Sequence, residues 1–443
     1  MNQIEQYSPT TSKAATAEAK NVYTKVIWRL MPFLILALLV NAIDRVNISF
    51  AKLRMVEDIA LSDAAYGFGA GAFYFGYILF EVPSNLYLQR VGARATLARI
   101  MMLWGAVTVG TAFVTTANQF IVARFLLGLA ESGFLAGVIL YLTYWFPSAL
   151  RGRITAAFLI SGVSAGIISG PLAGWIMSNF GGWLGLKDWQ VLFVFEGIPA
   201  ILLGIIALYW LTDRPAEASW LNAEEKHVIA TALAAESGKS TAHARFIDVL
   251  REPRIYIAGL VYFCIYSGSN TVSYWMPTLI RGFGVEDLKT IGMLSSVPYI
   301  VAVCGMYLLG RSSDKWHERR WHVALTMLVG ASSFFLLGFA QGNLPLSVFL
   351  MSLGAAASLS AVSLFWTIPP ALLTPATAAA GFAMISSIGV AAGVVSQIAV
   401  GAIKTATGSL YMAFDVMGIT LVVGALVLLI AIPARHLRER KAH

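Results

Sequence analysis

Twelve apolar runs fill nearly all of this 443-residue chain, near residues 27–48, 64–88, 95–115, 119–146, 153–178, 190–211, 254–280, 290–310, 322–340, 346–368, 379–403 and 410–433. The hydrocarbon core of a bilayer, about 30 Å thick, takes roughly 20 helical residues to cross, so every run is long enough to span it. Stretches such as 201–209 and 419–432 are continuously apolar. A membrane barrel needs strands of about ten residues alternating polar and apolar, so the pattern predicts helices throughout. The expected fold class is an all-α polytopic membrane protein with twelve transmembrane helices. One long hydrophilic stretch, Thr212 to Glu252, divides the runs into two sets of six and carries a short amphipathic helix around Ala223 to Ala235. The organisation read from this pattern is an N-terminal tail over 1–25, a six-helix half over 26–211, a linker over 212–252, a second six-helix half over 253–433 and a C-terminal tail over 434–443.

Composition agrees: 58% of residues are hydrophobic and 12% charged, with a mean hydropathy of +0.72, whereas soluble domains carry about 25% charged residues. With the N-terminus on the cytoplasmic side, 23 of the 31 Lys and Arg residues fall in cytoplasmic segments, and six, namely Lys52, Arg54, Lys187, Arg281, Lys289 and Lys404, fall outside. The positive-inside rule then places both termini in the cytoplasm. The net charge of +8 describes membrane-facing loops, and nucleic-acid binding is set aside. The polar first residues contain no apolar stretch of the signal-peptide kind, so the first span is expected to act as the insertion signal. Cys264 and Cys304 both lie within spans and report neither a disulfide framework nor a metal site.

The two halves echo one another. Asn85-Leu-Tyr-Leu-Gln89-Arg90-Val-Gly92-Ala-Arg94 follows span 2, and Gly310-Arg-Ser-Ser-Asp314-Lys315 follows span 8, with Arg90 and Lys315 separated by 225 residues, about half the chain. Repeated halves with a substrate site at their interface are the usual construction of secondary transporters. Gly310-x-x-x-Asp314-Lys315 resembles the loop motif of the major facilitator superfamily, and Gly166-x-x-x-Gly170-Pro171-x-x-Gly174 resembles a second motif found in it. Ile43-Asp44-Arg45-Val46-Asn47-Ile48-Ser49-Phe50-Ala51, Tyr141-Leu142-Thr143-Tyr144-Trp145-Phe146-Pro147 and Phe195-Glu196-Gly197-Ile198-Pro199 resemble its anion:cation symporter branch, which includes permeases for tartrate, sugar acids, phthalate and 4-hydroxyphenylacetate. The resemblance runs over essentially the whole chain and implies the major facilitator fold, with spans 1, 4, 7 and 10 around a central path. It also implies gating roles for Arg90, Gly92, Arg94, Gly310, Asp314 and Lys315. The first loop departs from the motif, with Asn85 and Gln89 where the family has Gly and Asp, and span 11 has Ser386-Ser387 where many branch members carry Asn.

Four ionisable residues lie deep inside spans: Asp44 and Arg45 in span 1, Arg124 and Glu131 in span 4. A charge at such a depth costs at least about 2.5 kcal/mol unless compensated, which marks these residues as functional candidates. Arg124 and Glu131 are seven residues apart, two helical turns along one face with a rise of about 10 Å, so both can line one cavity. Arginine stays charged and binds carboxylates through a planar fork, so a small organic anion is the natural ligand of Arg45 and Arg124. A purely structural Arg–carboxylate lock between spans 1 and 4 is the competing reading. The six His residues, His227, His243, His317, His322, His436 and His443, fall in loops or tails. If protons drive transport, the carrier is therefore a carboxylate, Asp44 or Glu131. Tyr77 in span 2, Asn270 and Tyr274 in span 7 and Ser363 and Trp366 in span 10 supply further substrate contacts, with packing as the alternative for the aromatics. Gly162, Gly166, Gly170 and Gly174 give span 5 a smooth face for close helix contact.

No His-rich metal set, serine elbow or phosphate loop falls within a span, so the chain is not read as an enzyme, and no cofactor or metal is expected. The reading is a proton symporter for a small organic carboxylate (an aromatic, hydroxy or sugar acid) in a bacterial inner membrane. It is expected to work as a monomer whose partners are its substrate, protons and the lipid bilayer. An anion exchanger or uniporter of the same fold is the rival.

Overall fold

The computed structural model describes residues 9–237, 251–373 and 377–432. His243, His436, His443, residues 238–250 of the expected linker and the C-terminal tail lie outside these. The first six spans are α1 (Pro9–Asp58), α2 (Asp63–Val91), α3 (Ala93–Thr111), α4 (Ala117–Glu131) with α5 (Phe134–Thr143), α6 (Ser148–Phe180) and α7 (Asp188–Trp210). The linker contributes α8 (Ala223–Ser237). The remaining spans are α9 (Pro253–Arg281), α10 (Leu288–Trp316), α11 (Arg320–Leu337), α12 (Leu344–Phe365), α14 (Ala378–Thr407) and α15 (Leu410–Ala431), with the short α13 (Pro369–Leu372) after α12. Ten segments are long and apolar enough to cross a membrane by length and composition alone. The more polar α2 and α3 complete the bundle by packing on α4, α7 and α14.

Polar caps set many of the helix starts: Ser62, Thr116, Asp287, Asn343 and Ser409 each accept a first-turn N–H with the side chain. The first helix runs well beyond the apolar run 27–48 at both ends. Two expectations are corrected. Span 4 is not continuous: Ser132 is extended and Gly133 left-handed (φ +84°), which ends α4 at Glu131 and restarts the chain as α5. Ser-Gly is a weak helical dipeptide, and Ser132 Oγ anchors the break by donating to the Tyr77 carbonyl at 2.6 Å. His322 lies in the first turn of α11, where its ring contacts Glu318 and Ser312.

The two halves meet along α2–α14, α6–α10 and α1–α9. These contacts concentrate at the end remote from the linker. A Cβ on Gly170 would lie 2.4 Å from the Gly292 carbonyl oxygen, and one on Gly292 would lie 2.3 Å from that of Gly170. Gly174 likewise abuts the Leu288 carbonyl, Gly166 the Tyr299 ring and Gly67 the Gln397 carbonyl. Gly162, the fourth member of the expected smooth face, has Leu38 of α1 as its neighbour. Nearer the linker end, a side chain at Gly152 of α6 or Gly310 of α10 would meet nothing within 4 Å. The halves are therefore in close backbone contact at the far end, while at the linker end Gly152 and Gly310 border open space among the described residues.

Backbone cannot yield to a methyl group as a side chain can, so Gly292→Ala should obstruct closure of the far end. Overpacking of this kind costs about 1–3 kcal/mol, a shift of roughly fivefold to more than a hundredfold in a two-state balance. The expected result is severely reduced uptake by purified, monodisperse protein. Uptake at the wild-type rate would show that transport does not require this approach.

Candidate functional site

Midway along the first half, α1, α2 and α4 converge on a cluster of charged and aromatic groups. Arg45 Nε donates to Glu131 Oε1 in an ion pair between α1 and α4, and Glu131 is 0% exposed. The Arg45 guanidinium lies 4.9 Å from the Tyr77 ring centroid and 5.5 Å from that of Phe73. Arg124 approaches the other side of the cluster, 4.9 Å from the Phe73 centroid. It is 1% exposed, yet among the described residues its Nε and Nη2 have no hydrogen-bond partner, and neither does Glu131 Oε2. A guanidinium buried in this way has donors to offer and no acceptor for them. The break after Glu131 holds that residue at the end of α4, in the manner of the interrupted helices that build transporter sites.

The opposite wall is α9. Tyr266, Asn270 and Tyr274 are spaced four residues apart on one helical face. Asn270 Oδ1 accepts from the Tyr74 hydroxyl at 2.8 Å, joining the halves. Tyr266 and Tyr274 stand 6.3 and 6.1 Å from the Tyr74 ring, centroid to centroid. Tyr266, which the sequence reading missed, is signalled by its position one turn before Asn270.

Arg45, Arg124, Glu131, Tyr77, Asn270 and Tyr274 are thus brought together between the halves. Asp44 is turned elsewhere: its carboxylate accepts from Asn47 Nδ2 at 3.1 Å and Thr108 Oγ1 at 2.9 Å, on the α3 side of α1. Ser363 is exposed on α12. Trp366 packs on Tyr262, Phe365 and Phe382, and among the described residues it reaches the central cluster only through the Tyr262–Tyr266 ring contact.

Paired six-helix halves, a charged site between them and an interrupted fourth span describe a transporter, and residues 34–397 match the Major Facilitator Superfamily. The chain belongs to the major facilitator superfamily. It is 43% identical to metabolite transport protein NicT of Pseudomonas putida, over 94% of this chain and 95% of that one. It is 40% identical to a tartrate transporter of Agrobacterium vitis, over 92% and 94%. The crystal structure of a D-xylose-proton symporter shares the fold, with a TM-score of 0.74 at 18% identity, over 92% of this chain and 98% of that one. The protein is a multi-pass membrane transporter.

In this superfamily member the loop-motif residues close within their own halves. Arg90 is exposed at the end of α2. Gly92 adopts φ +104°, and a Cβ there would strike the Asp213 carboxylate, which also accepts the Arg94 N–H at 2.8 Å. Asp213, after α7, thus places an acid beside a loop whose own motif lacks one. Asp314 pairs with Arg319 at 2.6 Å, Lys315 is exposed and Gly310 borders open space.

The far end holds charges that the sequence reading left as loop residues. Asp63 binds Lys52 at 2.6 Å and Lys404, from the second half, at 3.1 Å. Lys52 is buried, its ammonium 4.0 Å from the Trp275 ring centroid and 4.5 Å from that of Tyr66. Arg281 reaches back to the Leu53 carbonyl at 2.7 Å, and Lys289 to Asn179 at 3.2 Å. Basic residues of the second half therefore hold acceptors of the first. Lys404→Gln removes the ion pair that Lys404 makes with Asp63 across the halves and keeps Lys52–Asp63. A partly exposed pair contributes up to about 1 kcal/mol, so the far end should open severalfold more often. A cysteine placed at Ser273, which lines the small pocket behind this closure, should then react faster with an impermeant maleimide once Cys264 and Cys304 are replaced. Unchanged labelling would remove Lys404 from the closure.

Proposed function

We propose that the protein takes up a small organic carboxylate with protons across a bacterial inner membrane, acting as a monomer with both termini in the cytoplasm. The observation that carries this reading is the buried Arg124, whose Nε and Nη2 lack acceptors beside an Arg45 held by a single carboxylate. A substrate carboxylate supplies the missing acceptors and meets planar donors in the geometry they favour. The tartrate transporter among the relatives supports a hydroxy acid as the first class to test.

The coupling follows from the pairing. While Glu131 is ionised it occupies Arg45. A proton on Glu131 weakens that bond and frees Arg45 for the arriving anion, so substrate and proton load together. Tyr77, Asn270 and Tyr274 orient the anion, and the aromatic stack at Trp366 borders its path. Asp44 is the second proton-coupling carboxylate. With both termini cytoplasmic, the open space at the linker end makes the described form inward-open. Arg90, Gly92, Arg94, Gly310, Asp314 and Lys315 then border the cytoplasmic mouth and act in its closure.

Uptake by purified protein in liposomes tests this, using a panel of hydroxy, sugar and aromatic acids with and without an imposed pH gradient. Concentrative uptake of an acid that responds to the gradient is expected. Uptake that requires a counter-anion inside and ignores the gradient would replace symport with exchange.

A further inference from the structure

A second carboxylate pair lies within the first half, between α1, α3 and α7. Both oxygens of Asp44 already accept a donor, from Asn47 and Thr108. Glu196 of α7 is 5% exposed and lies close enough to Asp44 and Asn47 for both to act on its charge. Among the described residues neither Glu196 oxygen closes a hydrogen bond of ordinary geometry, and Asn47 Oδ1 is also without a partner. The crevice is held by backbone. A Cβ on Gly105 would lie 2.6 Å from the Gly197 carbonyl oxygen, and one on Gly197 would lie 2.7 Å from that of Gly105. Thr108 is one turn from Gly105 and Glu196 adjoins Gly197, so this close approach sets both into the crevice.

The charge balance is unfavourable as it stands. Among the described residues Asp44 is the only charged group acting electrostatically on Glu196, and Asp44, though turned toward α3, also lies within electrostatic reach of Glu131 and Arg124. Two ionised carboxylates with no cation between them are strongly unfavourable in a buried crevice, and adjacent acids resolve such a conflict by sharing one proton. Both Asp44 oxygens already accept a hydrogen bond, so the position open to a proton is on Glu196. Hard metal cations take about six oxygen ligands or more. The open oxygens here are the two of Glu196 and one of Asn47, a set suited to a proton.

We infer that the second proton, which the symport reading gives to Asp44, rests on Glu196 of the Asp44–Glu196 pair, so that two protons accompany each anion. One loads at Glu131 and one here, both from the far-side solution, and both leave to the linker side. This inference rests on the symport reading of the arginine site and adds a residue which that reading does not use.

Infrared difference spectroscopy of the purified protein tests the site without transport. A buried protonated-carboxyl C=O band that shifts in D₂O should be present in the wild type and in Glu131→Gln, and missing from Glu196→Gln. If the Gln variant does not fold, Glu196→Asp serves, with the band displaced. A band unchanged by either Glu196 substitution overturns the inference, as does stabilisation by Na⁺ over K⁺ that Glu196→Gln abolishes. In liposomes at a gradient of one pH unit, losing one of two coupled protons lowers the accumulation limit about tenfold, while counterflow, which moves no net protons, falls less. Wild-type accumulation by Glu196→Gln also overturns it. A wild type that ignores the pH gradient counts against the symport reading instead, and the infrared band still judges Glu196 by itself.

Discussion

Arg124→Lys is expected to weaken carboxylate binding by roughly tenfold to a hundredfold, because a hydrogen bond to a charged group contributes about 1.5–3 kcal/mol. The positive charge is kept, so the loss isolates the planar fork. Lysine offers a compact, strongly hydrated ammonium in place of the Nε and Nη2 donors that stand buried without acceptors beside Phe73. Arg45→Lys is expected to act in the same direction and also to loosen the contact with Glu131. Binding by calorimetry and uptake in liposomes, both normalised to monodisperse protein, provide the measurement. If both lysine variants bind and transport like the wild type, the arginines are structural and the anion site lies elsewhere.

The sequence exposed the first half of this site because charge inside a membrane is costly, and Asp44, Arg45, Arg124 and Glu131 therefore stood out from their apolar surroundings. It did not expose their pairing. Arg124 and Glu131 share a helical face in sequence, yet the bond forms between Arg45 and Glu131, a choice made by how α1 packs against α4. Asp44 adjoins Arg45 but points to Thr108, because neighbouring helical positions lie about 100° apart. Lys52 sits just past the first apolar run and reads as a loop charge; docking of the second half encloses it beneath Trp275. Asp213 was illegible for a related reason. It lies over a hundred residues from the Arg94 amide that it caps, and no local pattern connects them. The break after Glu131 carried a weak local signal, Ser132-Gly133, hidden by the apolar residues on either side.

Glu131→Gln separates coupling from binding. The amide imitates the protonated acid in shape and charge, so Arg45 loses its ionic partner and stays available to the anion. Two consequences follow from the same ion pair. Substrate binding should persist, since the competitor for Arg45 is weakened, and counterflow with substrate on both membrane faces should partly survive. Accumulation driven by a pH gradient should fall by about tenfold or more at one pH unit, the equivalent of losing one coupled proton. A structural role for Glu131 gives a different pattern: removing one partner of a buried pair costs about 3–5 kcal/mol, and binding, counterflow and thermal stability would decline together. Gradient-driven accumulation that survives in Glu131→Gln would take the proton away from the Arg45–Glu131 bond. Anion exchange would then be the better account of the two arginines.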